Sequence, residues 1–314
     1  MKHKIFIDGQ EGTTGLKIFD RIKSRNDLEL ITIESENRKN IEARLEKIKE
    51  ADITFLCLPD QASKEIVERA DGNSRILDTS TAHRTHEDWV YGLPELCPEQ
   101  RDRIRSSNRI AVPGCHATGF ITLVKPLTAL GIAPKDYPFD CHSITGYSGG
   151  GKKMIAQYAE DAKTIELEAP RQYGLSQSHK HMKEIVKQSD IEFPPSFHPI
   201  VADYFQGMLV TVSLHTRLLE KKVTVSELHE IFSDYYKEQK LIKVADYDED
   251  AEKGFLESNR MGGKDSLQIF VVGNDERITL VSRFDNLGKG ASGAAVQCMN
   301  IMLGCPEDTG LVLA

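Results

Sequence analysis

Cys115 stands in Ala111-Val112-Pro113-Gly114-Cys115-His116-Ala117-Thr118-Gly119, where an apolar strand-like run meets an apolar helix-like run. That placement predicts a thiol at a helix N-terminus, where unpaired N–H groups and the macrodipole favour thiolate over thiol. A strand, a Pro-Gly turn and then a nucleophile is an arrangement that exposes one side chain at the rim of an open sheet. The competing assignment is a buried free cysteine in a turn, which is the commoner fate of this residue type. A second, independent motif upstream favours chemistry, because it supplies the cofactor that such a nucleophile would need.

A proton carrier is the next requirement, and Ser178-His179-Lys180-His181-Met182-Lys183-Glu184-Ile185 offers two imidazoles. The segment reads as a helix start with Ser178 near the cap. On a helix, Glu184 lies three residues from His181, close enough to hold the imidazole in one tautomer and raise its basicity. That is the base-plus-orienter pattern expected beside a thiol nucleophile, so His181 is the expected acid/base and His179 a substrate contact. Without Cys115 the two histidines would read as surface or interface residues, and after that as a metal site. No metal is expected.

Two segments suit a carboxylate or phosphate. Asp78-Thr79-Ser80-Thr81-Ala82-His83-Arg84 follows a strand at the expected carboxyl edge of a sheet, where ligands collect, which makes Ser80 and Arg84 candidates. Ser148-Gly149-Gly150-Gly151-Lys152 is a run of backbone donors followed by a cation, so Ser148 and Lys152 are candidates as well. The same run also reads as a plain flexible turn.

The cofactor motif is Gly9-Gln10-Glu11-Gly12-Thr13-Thr14-Gly15, between a short apolar strand at 4–8 and a helical pattern through Ile22. Its glycines allow a tight turn and let a pyrophosphate approach the backbone at a helix N-terminus, although the spacing differs from the commoner G-x-G-x-x-G. Gly9, Gly12, Thr13, Thr14 and Gly15 are therefore expected on the cofactor, with Leu58 and Pro59 after the third strand. The second strand ends in Glu34-Ser35-Glu36-Asn37-Arg38-Lys39. An acidic residue there usually receives the ribose hydroxyls of NAD, but Ser35, Arg38 and Lys39 offer a hydroxyl and two cations for a 2′-phosphate. NADP(H) is the expected cofactor, and the opposing assignment for Arg38 and Lys39 is an ordinary solvated loop. Asn286 and Lys289, in Asp285-Asn286-Leu287-Gly288-Lys289-Gly290, are expected to approach the nicotinamide.

The elements that must position these groups alternate in the first third of the chain. Strands are predicted at 4–8, 28–34, 51–59, 74–80 and 109–112, with helices at about 40–50 and 61–70 between them, which argues for a parallel, doubly wound sheet of the Rossmann type. After a helix over 118–130 the pattern changes to longer alternating strands at 139–146, 207–215, 268–273 and 277–282. Such runs suit an antiparallel or mixed sheet in a second, α+β domain. Residues 290–303 are small and apolar enough for a buried helix. The expected fold is therefore α/β with three segments: a dinucleotide-binding domain over 1–116, a catalytic and dimerisation domain over 117–285, and a tail over 286–314 that returns to the first domain.

Composition excludes several classes. The 314 residues are 39% hydrophobic and 28% charged, which suits about two domains with ample core. A net charge of −8, with 40 Lys and Arg spread along the chain, argues against nucleic-acid binding. No stretch approaches the ~18 apolar residues of a membrane span, and no signal-peptide core follows the first residues, so a cytoplasmic location is expected. The six cysteines form no C-x-x-C pair and are expected as reduced thiols.

Taken in order along nearly the whole chain, Gly9/Gly12/Gly15, Tyr91-Gly92-Leu93-Pro94-Glu95-Leu96, Pro113-Gly114-Cys115, the Ser148 to Lys152 loop, His179-Lys180-His181 and Asn286-Leu287-Gly288-Lys289-Gly290-Ala291 resemble a known family. It is the shorter form of N-acetyl-γ-glutamyl-phosphate reductase, related to aspartate-semialdehyde and glyceraldehyde-3-phosphate dehydrogenases. The resemblance implies attack of the Cys115 thiolate on an acyl phosphate, loss of phosphate, and reduction of the thioester by NADPH, with His181 as acid/base and Arg84 on a substrate anion. The Asp78 to Arg84 segment departs from the longer form's wording. The competing functions are a reductase of another acyl phosphate, aspartyl or aminoadipyl, and a non-catalytic nucleotide-sensing protein. A homodimer or homotetramer is expected, with no nucleic-acid or membrane partner.

Overall fold

A computed structural model describes residues 2–159, 163–246 and 254–314. The chain divides into two compact units, one of residues 1–114 and 291–311 and one of residues 115–290 and 312–314. The division falls just before Cys115, and residues 286–290 stay with the second unit.

The first unit is wound on a six-stranded sheet. Along the chain it runs β1 (His3–Asp8), α1 (Thr13–Ile22), β2 (Leu28–Ile31), α2 (Ile41–Glu50), β3 (Ile53–Leu56), α3 (Asp60–Arg69), β4 (Ile76–Asp78), β5 (Val90–Tyr91), α4 (Gln100–Ser106) and β6 (Arg109–Ala111). The strand order is β2-β1-β3-β4-β6-β5, and every neighbouring pair is parallel. A parallel sheet is covered on both faces, which explains why all four residues of β3 are buried and apolar or hydroxylated. The strand expected over 28–34 stops at Ile31, because Ser35–Asn37 tighten into a 3₁₀ turn. Next, the Asn40 side chain caps α2 by accepting from the Glu42 and Ala43 N–H groups. The two-residue edge strand β5 carries too few residues for any periodicity to show.

The helix Gly293–Leu303 belongs to this unit and is buried around its circumference, with mostly small and apolar residues and two hydrogen-bonded amides, Gln297 and Asn300. Ala294, Ala295, Val296, Cys298 and Met299 pack with Ile5, Ile18, Phe55 and Ile110 in one core cluster. Gly304, in the left-handed region at φ 73°, ends it.

The second unit comprises α5 (Cys115–Ala129), β7 (Asp140–Gly146), α6 (Gly151–Tyr158), α7 (Ile165–Glu168), β8 (Arg171–Gln172), α8 (Met182–Ser189), β9 (Ser196–Ala202), β10 (Met208–His215), α9 (Val225–Tyr236), β11 (Ile242–Val244), β12 (Leu267–Asn274) and β13 (Arg277–Phe284). Its strand order is β11-β12-β13-β10-β7-β9-β8, a mixed sheet in which β7/β9 and β11/β12 are the parallel pairs. Four expected strands correspond to β7, β10, β12 and β13, whereas β9 and the short β8 and β11 went unread.

Helix α5 starts three residues earlier than expected, so Cys115 is its first residue. It lies on β10 and β13 through Gly119, where a Cβ would stand 2.8 Å from Val210 Cβ and 3.0 Å from Phe284 Cε1. Pro126, inside the helix, has no N–H for the Thr122 carbonyl, and the Tyr236 hydroxyl of α9 donates to that carbonyl at 2.8 Å instead. One tyrosine thus satisfies the carbonyl that the proline leaves without a helical donor. Replacing Gly119 by Ala sets a helix-propensity gain of about 1 kcal/mol against overpacking of about 1–3 kcal/mol. Because the obstacle includes the Val210 Cβ, overpacking wins, and urea unfolding should show Gly119→Ala destabilised by up to about 2 kcal/mol. An unchanged midpoint would mean that α5 can lift off the sheet at no cost.

Candidate active site

Cys115 is partly buried at the start of α5, and the residue after it anchors the surroundings. His116 is 3% exposed, with Nδ1 2.6 Å from the Ser143 hydroxyl of β7 and Nε2 2.7 Å from the Tyr173 hydroxyl. Burial, followed by repulsion from His179 whenever it is protonated and from Lys180, pulls its pKa down to about 3, so the ring is neutral. A neutral imidazole donates at one nitrogen and accepts at the other, and two hydroxyl partners satisfy both. The Tyr173 phenol is pushed upward by burial and then by Cys115, which keeps it protonated.

His179 and His181 pack on this ring. Their centroids lie 5.3 Å and 5.6 Å from His116 and 4.6 Å from each other, and Phe197 of β9 closes against His116 and His179. The structure therefore gathers both predicted histidines with His116, Tyr173, Ser143 and Phe197. Sequence reading missed His116, although it stands in the quoted motif, because its partners come from β7 and from beyond β8.

The segment carrying the two histidines is not the helix start that was expected. Tyr173 N–H donates to the Pro199 carbonyl at 2.9 Å, and the Gln177 carboxamide both donates to and accepts from the Phe197 main chain at 2.8 Å. Gln177 takes φ 58° to do so, which a helix does not allow. Ser178 pairs with the Ser176 hydroxyl instead of capping, and α8 begins at Met182 with His181 as its N-cap residue. The His181 N–H donates to His179 Nδ1 at 3.2 Å, while Glu184 is buried in the first turn of α8. His181 is 4% exposed and His179 is more open.

Other cysteines behave differently. Burial pushes Cys57 up to about 12 and Cys141 upward likewise, so both remain thiols.

The turn before the last helix completes the surroundings of Cys115. A Cβ on Gly290 would lie 2.9 Å from Cys115 Cβ, so this position accepts no side chain without moving Cys115. Asp285 holds the turn: its carboxylate accepts from Gly263 N–H at 2.6 Å and Leu287 N–H at 2.9 Å. Asn286 and Ser148, expected on ligands, are spent on each other. Asn286 Nδ2 donates to Ser148 Oγ at 3.0 Å and its Oδ1 accepts from Gly207 N–H at 2.9 Å, with both residues buried. They shape the Gly-rich loop from inside. Lys289 is fully buried in the same turn, whereas Lys152 is exposed on α6.

In the first unit β1 lies between β2 and β3, so the chain leaves it toward opposite sides and opens a crevice at the carboxyl ends of β1 and β3. Gly9 stands there at φ 85°, with the Cys57 carbonyl where its Cβ would be. Gly15 is tied as closely: a Cβ would meet Gly9 O at 2.5 Å and Gln10 Cα at 2.8 Å. Gly12 accepts from Leu16 and offers no side-chain cap, leaving the N–H groups of the first turn, which holds Thr13 and Thr14, for an anion. Leu58 is partly buried at the rim, and Pro59 is the N-cap residue of α3. Such a cradle fits the pyrophosphate of a dinucleotide.

Beside it, Arg38 pairs with Glu11 of the glycine turn, which brings the guanidinium to the turn's edge, and Ser35 is exposed in the neighbouring 3₁₀ turn. At the end of β1, Asp8 receives two hydrogen bonds from Arg44 at 2.8 and 2.6 Å. Burial pushes its carboxyl upward against the pull of that guanidinium. The Ser80 hydroxyl donates to Asp78 at 2.7 Å, and Asp78 also holds His83 Nδ1 at 2.6 Å, with the His83 ring stacked on Trp89. Arg84 is buried and donates to the Thr79 carbonyl. In this state Ser80 and Arg84 serve their own loop.

Comparisons with known proteins agree with this geometry. A family model described as the semialdehyde dehydrogenase NAD binding domain matches residues 4–104, and one described as the semialdehyde dehydrogenase dimerisation domain matches residues 115–286. The N-acetyl-gamma-glutamyl-phosphate reductase of Brucella anthropi is 45% identical over 309 residues, covering 97% of this chain and 99% of that protein. N-acetyl-gamma-glutamyl-phosphate reductase 2 of a Nostoc species is 43% identical, covering 99% of each. Aspartate semialdehyde dehydrogenase II of Vibrio cholerae shares the fold at a TM-score of 0.72 and 18% identity, covering 97% of this chain and 99% of that one. The Francisella tularensis enzyme does so at 0.71 and 14%, covering 96% and 100%.

The neutral His116 has a measurable consequence. Between pH 6.5 and about 3 the unfolded chain binds a proton here that the folded chain refuses. Stability from this residue is therefore full above pH 6.5 and falls on acidification by up to about 1.4 kcal/mol per pH unit. Urea unfolding at several pH values should show a shallower loss in His116→Gln than in the parent chain. Equal slopes would mean that the folded ring takes up the proton.

Proposed function

The chain belongs to the semialdehyde dehydrogenase family, and on that premise we propose that it reduces N-acetyl-γ-glutamyl phosphate to N-acetylglutamate semialdehyde and phosphate in arginine biosynthesis, through a thioester on Cys115. It is an oxidoreductase with a nicotinamide-binding domain. The observation that carries the reading is the gathering of His179, His181 and Tyr173 around His116, the residue next to Cys115, in a chain that also builds a glycine cradle at α1.

A carboxylate does not accept hydride, but an acyl phosphate is captured by sulfur as a thioester, which does. The N–H groups opening α5 favour the Cys115 thiolate, which attacks the acyl carbon; a C–S bond forms and the C–O bond to phosphate breaks. The departing phosphate takes up the one proton the reaction consumes. His181, three residues before Glu184, is the proposed donor of that proton. His179, whose Nδ1 accepts from a main-chain N–H, carries its own proton on Nε2 and is the proposed neutral donor to the acyl oxygen. When bound, the cofactor supplies the hydride. The thiohemiacetal oxyanion then expels the Cys115 sulfur, releasing the aldehyde and restoring the thiolate.

NADPH is the proposed cofactor because Arg38 stands at the edge of the glycine turn, in reach of the Glu11 carboxylate that a 2′-phosphate would displace. We assign Ser80 and Arg84 as substrate-anion contacts once substrate rearranges their loop. A homodimer or homotetramer is the proposed assembly, supported by the dimerisation-domain description of the 115–286 family model, and free cysteines suit the proposed cytoplasmic setting. Among the described residues no helix is long and apolar enough to cross a membrane.

Phosphate-dependent reduction of NADP⁺ should proceed with N-acetylglutamate semialdehyde and fail with aspartate semialdehyde; the opposite preference would move the chain to another acyl phosphate. Cys115→Ala should abolish turnover while leaving NADPH binding intact, and retained turnover would leave only a nucleotide-binding role. His181→Asn should lower kcat by about 10²–10⁴-fold, and more than His179→Asn does. A larger loss in His179→Asn would exchange the two roles. Arg38→Ala should reduce kcat/KM for NADPH about tenfold and leave NADH nearly untouched.

A further inference from the structure

Strands β7 and β9 run parallel and adjacent, with His142 opposite His198 and Asp140 opposite Ser196. Side chains alternate along a strand, so these two strands carry different chemistry on their two faces. Ser143 and Phe197 are buried against His116 on one face. Asp140, His142 and His198 stand on the other, partly or fully exposed. The Asp140 carboxylate reaches His142 Nε2 at 3.2 Å through one oxygen and His198 Nε2 at 3.1 Å through the other, and the imidazoles stack with centroids 4.8 Å apart.

We infer that Asp140, His142 and His198 form a binding site for a divalent transition-metal ion of the zinc class, on the sheet face opposite the histidine cluster of Cys115. One ligand atom from each residue lies within 4.8 Å of the others. Two imidazoles and one carboxylate are a borderline donor set that suits zinc or cobalt and leaves the remaining positions to water; magnesium and calcium prefer oxygen alone. Bonds of about 2.0–2.2 Å require these exposed side chains to close inward, which surface rotamers allow. At His198 the ion replaces the proton that now bridges Nε2 to Asp140. Gln172 lies 3.3 Å from His198 Nδ1, and turning its carboxamide over would let Oε1 accept the Nδ1 proton once Nε2 is on the metal. As ion pairs alone, these partly exposed contacts contribute little to stability.

Calorimetric titration with Zn²⁺, and visible absorption with Co²⁺, should be carried out on the full chain and on Cys115→Ala, which removes the competing thiolate. One ion per chain is expected, retained in Cys115→Ala, without sulfur charge-transfer absorption. His142→Ala and Asp140→Asn should each weaken binding at least about tenfold, with circular dichroism unchanged. Absence of binding, binding untouched by both substitutions, or binding lost with Cys115→Ala would each overturn the site.

Discussion

One buried imidazole organises the surroundings of Cys115. His116 is clamped between Ser143 and Tyr173, and its two hydrogen bonds join the first turn of α5 to β7 and to the chain leaving β8. A buried polar atom left without its partner costs about 1–3 kcal/mol, so neither hydroxyl can be withdrawn cheaply. The clamp also sets charge. Burial keeps His116 uncharged, and it keeps the Tyr173 phenol protonated. A neutral ring between two hydroxyls is itself no proton carrier, and His179 and His181 rest against it.

The same economy of side chains shapes the loops around it. Gln177 substitutes for a strand partner by bonding both main-chain groups of Phe197, and Asn286 joins Ser148 to Gly207. Polar residues that look like ligand contacts in one dimension are here the fasteners of loops that have no regular hydrogen bonding of their own. Gly290 adds a steric condition, since only a residue without a Cβ fits against Cys115. In the first unit Gly9 and Gly15 play the matching part, where backbone must approach backbone at the mouth of β1 and β3.

Legibility differed between the two sheets for physical reasons. Buried parallel strands such as β3 are continuous apolar runs, and the alternation of strands with helices announced the doubly wound sheet. In the mixed sheet, β10 alternates cleanly and was readable, whereas β9 reads Ser-Phe-His-Pro-Ile-Val-Ala, with a proline that argues against a strand. Its Pro199 is tolerated because it accepts, rather than donates, toward Tyr173. The helix start assigned near Ser178 failed for a related reason: local capping signals were outweighed by the bonds that hold residues 173–177 to β9.

What the sequence by itself determined is the set of local devices: a glycine turn after the first strand, a cysteine opening a helix, two histidines two residues apart, and an acidic, evenly charged chain. Each depends on residues within one or two turns of one another, and short-range stereochemistry suffices to read them. What only the tertiary structure decided is which side chains meet: His116 with Ser143 and Tyr173, Arg44 with Asp8, and His142 with His198. Those pairings follow from strand order and register, which arise when distant segments bury their apolar faces together, and no local spacing encodes them.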